Sequence, residues 1–276
     1  MTAIALALSA PFRLPLLAEL LERQRTLAVY GLACLGFAAA TLLLQGLDAR
    51  TLASGISVWA KPTKFFFSVA VFPITAAWFF GYVRPERRRT FAMRASVAMI
   101  VVGATFELAY ILFQASRGLE SHFNSGTPFH ALMYTLMGIF AVVLTASTLP
   151  LAWEIARRPA AGISRDFAVA VAVGLVLTFL LGAGFGGYMG SQPGHAVGAT
   201  GGQVPLMGWN RSGGDLRIAH FLGIHAEQAI PLLGAMVAGL RTRTRWALIA
   251  AGTLAYTALS LAVFAQAVAG RPLLPL

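Results

Sequence analysis

Seven continuous apolar stretches, each long enough to cross a lipid bilayer as a helix, dominate this sequence. A membrane-spanning helix needs about 20 predominantly apolar residues, and five of the seven stretches contain no Asp, Glu, Lys or Arg. Strands of a membrane β-barrel are shorter and alternate between apolar and polar residues, whereas these stretches are unbroken. The sequence therefore predicts an all-α integral membrane protein with seven transmembrane helices. The predicted spans cover residues 27–47, 65–83, 95–116, 131–151, 167–190, 216–240 and 246–269.

The composition of the chain agrees with this interpretation. Only 11% of the residues are charged and 58% are hydrophobic, whereas a soluble domain has about 25% charged residues. The high apolar content excludes a disordered chain, and the single cysteine, Cys34, excludes a disulfide scaffold. We predict one seven-helix domain over residues 26–276. Residues 1–25 carry leucines at helical spacing opposite charged residues, which predicts a short amphipathic helix at the membrane interface.

Lys and Arg residues are distributed unevenly between the two sides of the predicted spans. Fourteen of the 21 lie in the N-terminal segment and in the loops after the second, fourth and sixth spans. Because basic residues concentrate in cytoplasmic loops, we predict a cytoplasmic N-terminus and an extracytoplasmic C-terminus, in a bacterial-type inner membrane. This asymmetry also explains most of the net charge of +11, so the basicity does not require a nucleic-acid partner.

Ionisable residues within the spans point to a polar pocket. Each costs about 2.5–3.5 kcal/mol near the centre of a span, so such residues face the bundle interior or water. The third span contains Glu107, and the sixth contains Arg217, His220, His225 and Glu227. With the predicted orientation, all five histidines of the chain lie in the outer half of the membrane or near its middle. The pattern favours a pocket that opens outward. In a structural alternative, Glu107 pairs with Arg217 or a histidine and joins two helices.

The residue types in this pocket suggest a metal or haem site. Imidazole and carboxylate ligands suit zinc, iron or copper, and histidines from two facing helices can serve as the axial ligands of haem b. The predicted ligands are His122, His130 and His220, with His130 and His220 approaching each other across the pocket. Carboxylates that could complete the site are Glu107, Glu120 and Asp215. The candidates for general acid–base catalysis are Glu107, Glu227 and His225.

Further polar residues near the predicted outer surface are candidate contacts for the cofactor or a lipophilic substrate. These residues are Lys61, Lys64, Tyr110, Gln114, Trp209, Asn210, Arg211 and Arg217. Three of them lie in the outer loop 191–214, and a connection of this length is typically a functional lid or a disordered segment. We predict a lid that packs over the pocket, with Asp215 capping the helix that follows.

A glycine pattern in the fifth span predicts close helix packing. Gly182, Gly186 and Gly190 stand four residues apart, the arrangement that lets two membrane helices approach closely. The partner helix could belong to this chain or to a second copy, so an oligomer contact through this face is one expectation.

Three classes of function remain open from the sequence. The favoured one is a membrane protein whose outward-facing pocket binds a metal ion or haem and acts on a lipophilic substrate or in electron transfer; the sequence leaves open whether it is an enzyme. In a second class, a proton-coupled transporter or exporter, Glu107, His225 and Glu227 relay protons, although the inner half of the bundle lacks a matching polar track. The third class is a structural subunit of a larger membrane complex.

Overall fold

The computed structural model describes residues 15–52, 55–205 and 207–275, and 71% of the protein is helical. Ten α-helices occur in this part of the chain, together with a 3-10 turn at Pro85–Arg87 and a two-stranded antiparallel sheet. The helices are α1 (Pro15–Arg23), α2 (Arg25–Leu47), α3 (Ala60–Phe80), α4 (Phe91–Ser116), α5 (Pro128–Ala146), α6 (Thr148–Arg157), α7 (Arg165–Gly190), α8 (Leu216–Ile224), α9 (Ala226–Met236) and α10 (Thr242–Val268). The sheet pairs β1 (Ala196–Val197) with β2 (Gly214–Asp215).

Six helical segments of the described chain are long and apolar enough to cross a membrane. They are α2, α3, α4, the combined segment of α5 and α6, α7 and α10. This finding confirms an all-α integral membrane protein. We call the end of the bundle at which α2, α4, α7 and α10 begin the inner end, and the opposite end the outer end, following the predicted orientation.

The predicted sixth span is interrupted. Helix α8 has nine residues and α9 has eleven, so neither is long enough to cross a membrane alone. The two helices meet at His225, whose φ of −92° and ψ of 6° lie outside the α-helical range. Together they occupy most of the apolar stretch 216–240. A count of seven spans requires that α8 and α9 cross the membrane as one unit, which stays a prediction.

The interruption leaves backbone groups without helical partners, and side chains of two neighbouring helices satisfy them. The hydroxyl of Thr178 on α7 accepts a hydrogen bond from the backbone N–H of Glu227 (2.9 Å) and donates to the carbonyl oxygen of Ile224 (3.5 Å). The hydroxyl of Tyr256 on α10 donates to the carbonyl oxygen of Leu222 (2.5 Å). In a lipid environment every backbone polar group needs such a partner. These contacts therefore make the break tolerable.

Glycines on α7 allow this helix to lie directly against the broken one. A side chain at Gly174 would come within 2.8 Å of the carbonyl oxygen of Ala226, and one at Gly186 within 2.9 Å of the His220 ring. Gly182 contacts Ile224 in the same way, while Gly190 faces the Tyr134 hydroxyl of α5. The expected oligomer contact through the glycine face is therefore wrong, because helices of the same chain cover it.

Ion pairs fasten the inner end of the bundle. Arg87 pairs with Glu154 on α6 at 2.8 Å, and Arg245 on α10 pairs with Asp166 on α7 at 2.7 Å. Both carboxylates are buried, so each needs its arginine. The pairs join segments that are distant in sequence and thereby fix the inner ends of α6, α7 and α10.

Helix α1 is the described part of the predicted interfacial segment, since residues 1–14 lie outside the described residues. Its Arg23 stacks over the Trp78 ring, with the guanidinium carbon 3.9 Å from the ring centroid, and donates to the Trp78 carbonyl oxygen at 2.7 Å. Leu16 points outward and is 68% exposed, whereas Leu20 is buried. This two-sided pattern is typical of a helix at a membrane surface. Its position at the interface stays a prediction.

Removing the Thr178 hydroxyl should destabilise the fold. Thr178→Val preserves the side-chain shape but leaves the buried N–H of Glu227 without a partner, which costs about 1–3 kcal/mol. We expect a corresponding loss in the free energy of unfolding, measured by denaturing-detergent titration in mixed micelles. Thr178→Ser keeps the hydroxyl and should retain most of the stability. Equal stability of the valine variant and the wild-type protein would contradict this account of the break.

Candidate functional site

Charged residues from four segments meet at the outer end of the bundle, with Lys61 at their centre. Lys61 is in the first turn of α3, and its charge interacts with those of Glu107 on α4 and Glu120 in the loop after α4. It also acts on His122 in that loop and on His195 in the outer loop. The outer polar residues predicted from the sequence are therefore neighbours in space. We call the group around Lys61 the outer cluster.

One face of α4 forms the floor of the outer cluster. Glu107, Tyr110 and Gln114 are spaced three and four residues apart, so their side chains lie on the same side of the helix. All three are buried, with exposed fractions of 6%, 4% and 0%. Glu107 Oε1, the Tyr110 hydroxyl and Gln114 Oε1 have no hydrogen-bond partner among the described residues. Because nearly all buried polar groups are paired in folded proteins, this face is suited to a partner from outside the chain.

The remaining polar group of Gln114 is already used within the fold. Its Nε2 donates to the backbone carbonyl of Glu120 at 3.2 Å, which holds the loop after α4 against the helix. The side-chain amide is thus oriented, and its Oε1 is the atom left for a ligand.

His122 lies in the loop between α4 and α5 and is held among aromatic rings. Its ring centroid is 5.6 Å from that of Phe65 and 6.3 Å from that of Tyr134, and its Nδ1 is 3.1 Å from the Ser121 hydroxyl. Burial lowers the pKa of His122 well below its usual value, and the charge of Lys61 and the nearby His220 lower it further. His122 is therefore neutral near pH 7.

The outer loop is tied to the bundle by Asp215. The Asp215 carboxylate accepts from the backbone N–H of Arg217 at 3.0 Å, which confirms the predicted helix cap. It also binds the Arg217 guanidinium at 2.9 and 2.6 Å and the backbone N–H of Asn210 at 2.8 Å. Burial alone would raise the pKa of Asp215, but the hydrogen bonds and charge of Arg217 lower it overall. Arg217 therefore pairs with Asp215, and the alternative in which it pairs with Glu107 is wrong.

Three loop residues predicted to contact a ligand are engaged in holding the loop together. The Asn210 side chain accepts from the N–H groups of Gly201 and Ser212 and donates to the carbonyl of Ala199. Arg211 and Trp209 make contacts outside the loop. Arg211 donates to the carbonyl oxygens of Leu274 (3.4 Å) and Pro275 (2.9 Å), and the Trp209 ring packs on Phe221 with centroids 5.8 Å apart. A direct role of these three in binding stays a prediction.

The loop also reaches the outer cluster. Exposed Lys64 donates to the carbonyl oxygen of Met207 at 3.4 Å, and His195 Nδ1 is 3.8 Å from Asp215 Oδ1. Burial and the charge of Arg217 lower the pKa of His195, while Asp215 partly opposes this shift. A cavity of about 210 Å³ under the loop is bordered by His195 and Arg217. The loop thus covers the outer ends of α3 and α8, as predicted, while its movement as a lid stays a prediction.

The structure does not support the predicted three-histidine metal or haem site. In the described part of the chain, no group of three or more His, Cys, Asp or Glu residues is arranged to hold a metal ion. His130 Nδ1 lies 3.0 Å from the Thr127 hydroxyl beside it, whereas His220 Nδ1 lies 3.0 Å from the carbonyl oxygen of Gly182. Each ring is thus fixed by a different local partner. Electrostatically, His220 acts on His122 and not on His130, so the predicted approach of His130 to His220 is not supported.

A second polar group lies at the helix break. The Glu227 side chain is fully buried, and its Oε1 accepts from Gln228 Nε2 at 2.8 Å. The same amide nitrogen donates to the hydroxyl of Thr75 on α3 at 3.0 Å, and Gln228 Oε1 is 3.0 Å from His225 Nδ1. Glu227 Oε2 has no partner among the described residues. The sequence analysis identified Glu227 and His225 but missed Gln228 and Thr75, because only the tertiary fold shows which neutral polar residues face a charged one.

Comparison with protein-family models, curated proteins and solved structures finds no match for this chain. The functional argument therefore rests on the site itself.

The low pKa of His122 makes stability depend on pH. Because the native pKa lies below the unfolded value of about 6.5, the unfolded chain binds more protons once the pH falls towards 6. Stability should therefore decline between pH 7.5 and 5.5. His122→Gln removes this proton uptake, so its apparent melting temperature should fall less over that interval. Scanning fluorimetry in detergent at several pH values measures the difference. The same pH dependence in both proteins would contradict the assignment.

Proposed function

We propose that the chain is a seven-span inner-membrane protein, with a cytoplasmic N-terminus and α8 and α9 together as the sixth span, whose outer cluster binds a small lipophilic molecule. The observation that carries this proposal is the α4 face formed by Glu107, Tyr110 and Gln114. Three buried polar atoms without partners on one helix face are costly, since each forfeits about 1–3 kcal/mol. A ligand that satisfies them would recover that cost on binding.

The types of these atoms define the chemistry of the ligand. Glu107 Oε1 and Gln114 Oε1 are hydrogen-bond acceptors, whereas the Tyr110 hydroxyl can donate or accept. A molecule with hydroxyl or amine groups would satisfy all three. The Lys61 ammonium faces the same site and can donate to an oxygen atom of the ligand. The apolar surroundings favour a molecule that is otherwise lipophilic.

We propose an organic ligand in preference to the metal ion or haem expected from the sequence. The candidate ligands His122, His130 and His220 have separate hydrogen-bond partners, and the atoms left without partners on α4 are a carboxylate, a phenol and an amide. This donor set suits hydrogen bonding better than coordination of a transition metal. In this proposal Glu107 is the group that would accept a proton from the ligand.

Removing the acceptors should release the ligand. The full chain is purified in native-lipid particles, and the bound small molecules are extracted and identified by mass spectrometry. We expect a hydroxyl- or amine-bearing species enriched in the wild-type preparation, reduced about tenfold or more in Glu107→Gln combined with Tyr110→Phe, since two lost hydrogen bonds cost about 1.5 kcal/mol or more.

The matched control is Glu22→Gln combined with Tyr188→Phe, because both residues lie outside the outer cluster and its retention of ligand should equal that of the wild type. Equal ligand content in both double variants would overturn the proposal. So would a stoichiometric metal ion, or a haem absorption band, in the purified protein.

A second candidate function, a proton-coupled carrier, is favoured by one observation: the helix break beside Glu227. Transporters form substrate and ion sites near the middle of the membrane from interrupted helices, and a buried carboxylate there is a candidate proton carrier. In proteoliposomes with an imposed membrane potential, wild-type protein should admit protons faster than Glu227→Gln, while Glu22→Gln should match the wild type. Proton entry equal to that of empty liposomes would exclude this function.

A further inference from the structure

A groove on the outer surface of the helix bundle separates α2 from α4. It has a volume of about 460 Å³ and is bordered by Arg25, Thr26, Val29, Tyr30, Ala33 and Val101. Helix α2 packs closely along α3, which leaves its other side apart from α4. The hydroxyl groups of Tyr30 and Thr105, 3.0 Å apart, connect the two helices across this gap. The groove therefore has a polar bridge, while the side chains of Val29, Ala33 and Val101 make its walls apolar.

The groove faces the region that lipid occupies. Val29 is 50% exposed, and Ala33 and Thr105 are also exposed, so the groove opens away from the bundle core. It runs along the helices from Arg25 towards Ala33, about 12 Å at 1.5 Å per residue. An elongated apolar channel open to the bilayer fits an acyl chain.

Two arginines without partners stand at the inner mouth of the groove. Arg25 is the first residue of α2, and it is exposed and has no ion pair or hydrogen bond from its side chain among the described residues. Arg94 is likewise exposed and makes no such contact within the described chain. It precedes Val101 by seven residues on α4 and so lies on the same side of that helix, two turns closer to the inner end. Both guanidinium groups are thus available at the level where lipid headgroups begin.

These features define an amphiphilic binding site with a basic end. Guanidinium groups bind phosphate through paired hydrogen bonds, and basic pockets between membrane helices on the cytoplasmic side hold acidic lipid headgroups. Other arginines at the inner end are engaged: Arg23 with Glu19, Arg87 with Glu154 and Arg245 with Asp166. The two at the groove are free of such pairs.

We propose that the groove between α2 and α4 is a binding site for an anionic phospholipid, with one acyl chain along Val29, Ala33 and Val101 and the phosphate on Arg25 and Arg94. Any lipid can place a chain in an apolar groove, so the arginines supply the preference for an anionic headgroup. This site is independent of the outer cluster and of its proposed ligand.

The test uses the full chain in a neutral detergent. Phosphatidylglycerol, phosphatidylcholine with the same acyl chains, and inorganic phosphate are titrated separately, and binding is followed by native mass spectrometry and by the apparent melting temperature. We expect phosphatidylglycerol to bind more tightly than phosphatidylcholine and to raise the melting temperature, and inorganic phosphate to have no effect. Each of Arg25→Gln and Arg94→Gln should weaken phosphatidylglycerol binding by about fivefold.

Two further variants keep the proposal open to refutation. Arg243→Gln removes an exposed inner arginine on α10, away from the groove, and should bind phosphatidylglycerol like the wild type. Ala33→Phe fills the groove but retains both arginines, and it should lose the lipid-induced rise in melting temperature. Equal affinity for the two lipids, an equal effect of inorganic phosphate, or an equal loss in Arg243→Gln would overturn the proposal. Unchanged binding by Ala33→Phe would overturn the acyl-chain assignment.

Discussion

The need to satisfy backbone hydrogen bonds inside a membrane governs the centre of this structure. An unbroken helix meets that need by itself, whereas a break requires donors and acceptors from elsewhere. At His225 they come from Thr178 on α7 and Tyr256 on α10, and this fixes the position of three helices relative to one another. Gly174 and Gly223 follow from the same need, because larger side chains would clash where the helices meet; a side chain at Gly223 would lie 2.8 Å from the Leu181 backbone.

The two ends of the bundle solve the problem of buried charge differently. At the inner end, the carboxylates of Glu154 and Asp166 each contact an arginine, so these charges are paired and serve to join helices. At the outer end, Glu107 lies near Lys61 but its Oε1 has no hydrogen bond within the described residues. A protein that needed only stability would favour the first arrangement. The second is therefore the better indicator of a binding site, and it places that site in the outer half of the bundle.

The sequence predicted what depends on long-range averages of hydrophobicity and on local capping. The apolar stretches became helices, and Asp215 capped α8 as its residue type and position indicated. The break at His225 was not predicted, since residues 216–240 read as one apolar stretch and nothing local requires a stop there. Pro231 and Gly223 were weak signals of it. Their effect depends on Thr178, which lies 49 residues from Glu227 along the chain.

The partners of the histidines were the least predictable feature, because they depend on side-chain contacts between helices. Depth along the axis made His130 and His220 comparable, but depth does not determine which way a ring points. Gly186 gives His220 room against α7, and the carbonyl of Gly182 then fixes its Nδ1. The ring that acts on His220 from the loop is His122. A pairing of this kind could be found from sequence only by combining the glycine spacing on α7 with the position of the break.

Helix α8 links the two polar groups of the bundle. It begins at the Asp215 and Arg217 pair beside the outer loop and ends at the break, and its nine residues span about 13 Å. A helix this short moves as a rigid body, so a displacement at its outer end reaches the break directly. His220 lies between, with its ring seated on Gly186. Any ligand that shifts the outer loop would therefore change the hydrogen bonds that Thr178 and Tyr256 make to the break, and with them the surroundings of Glu227. The same connection follows whether the outer cluster only binds a molecule or also drives its transport.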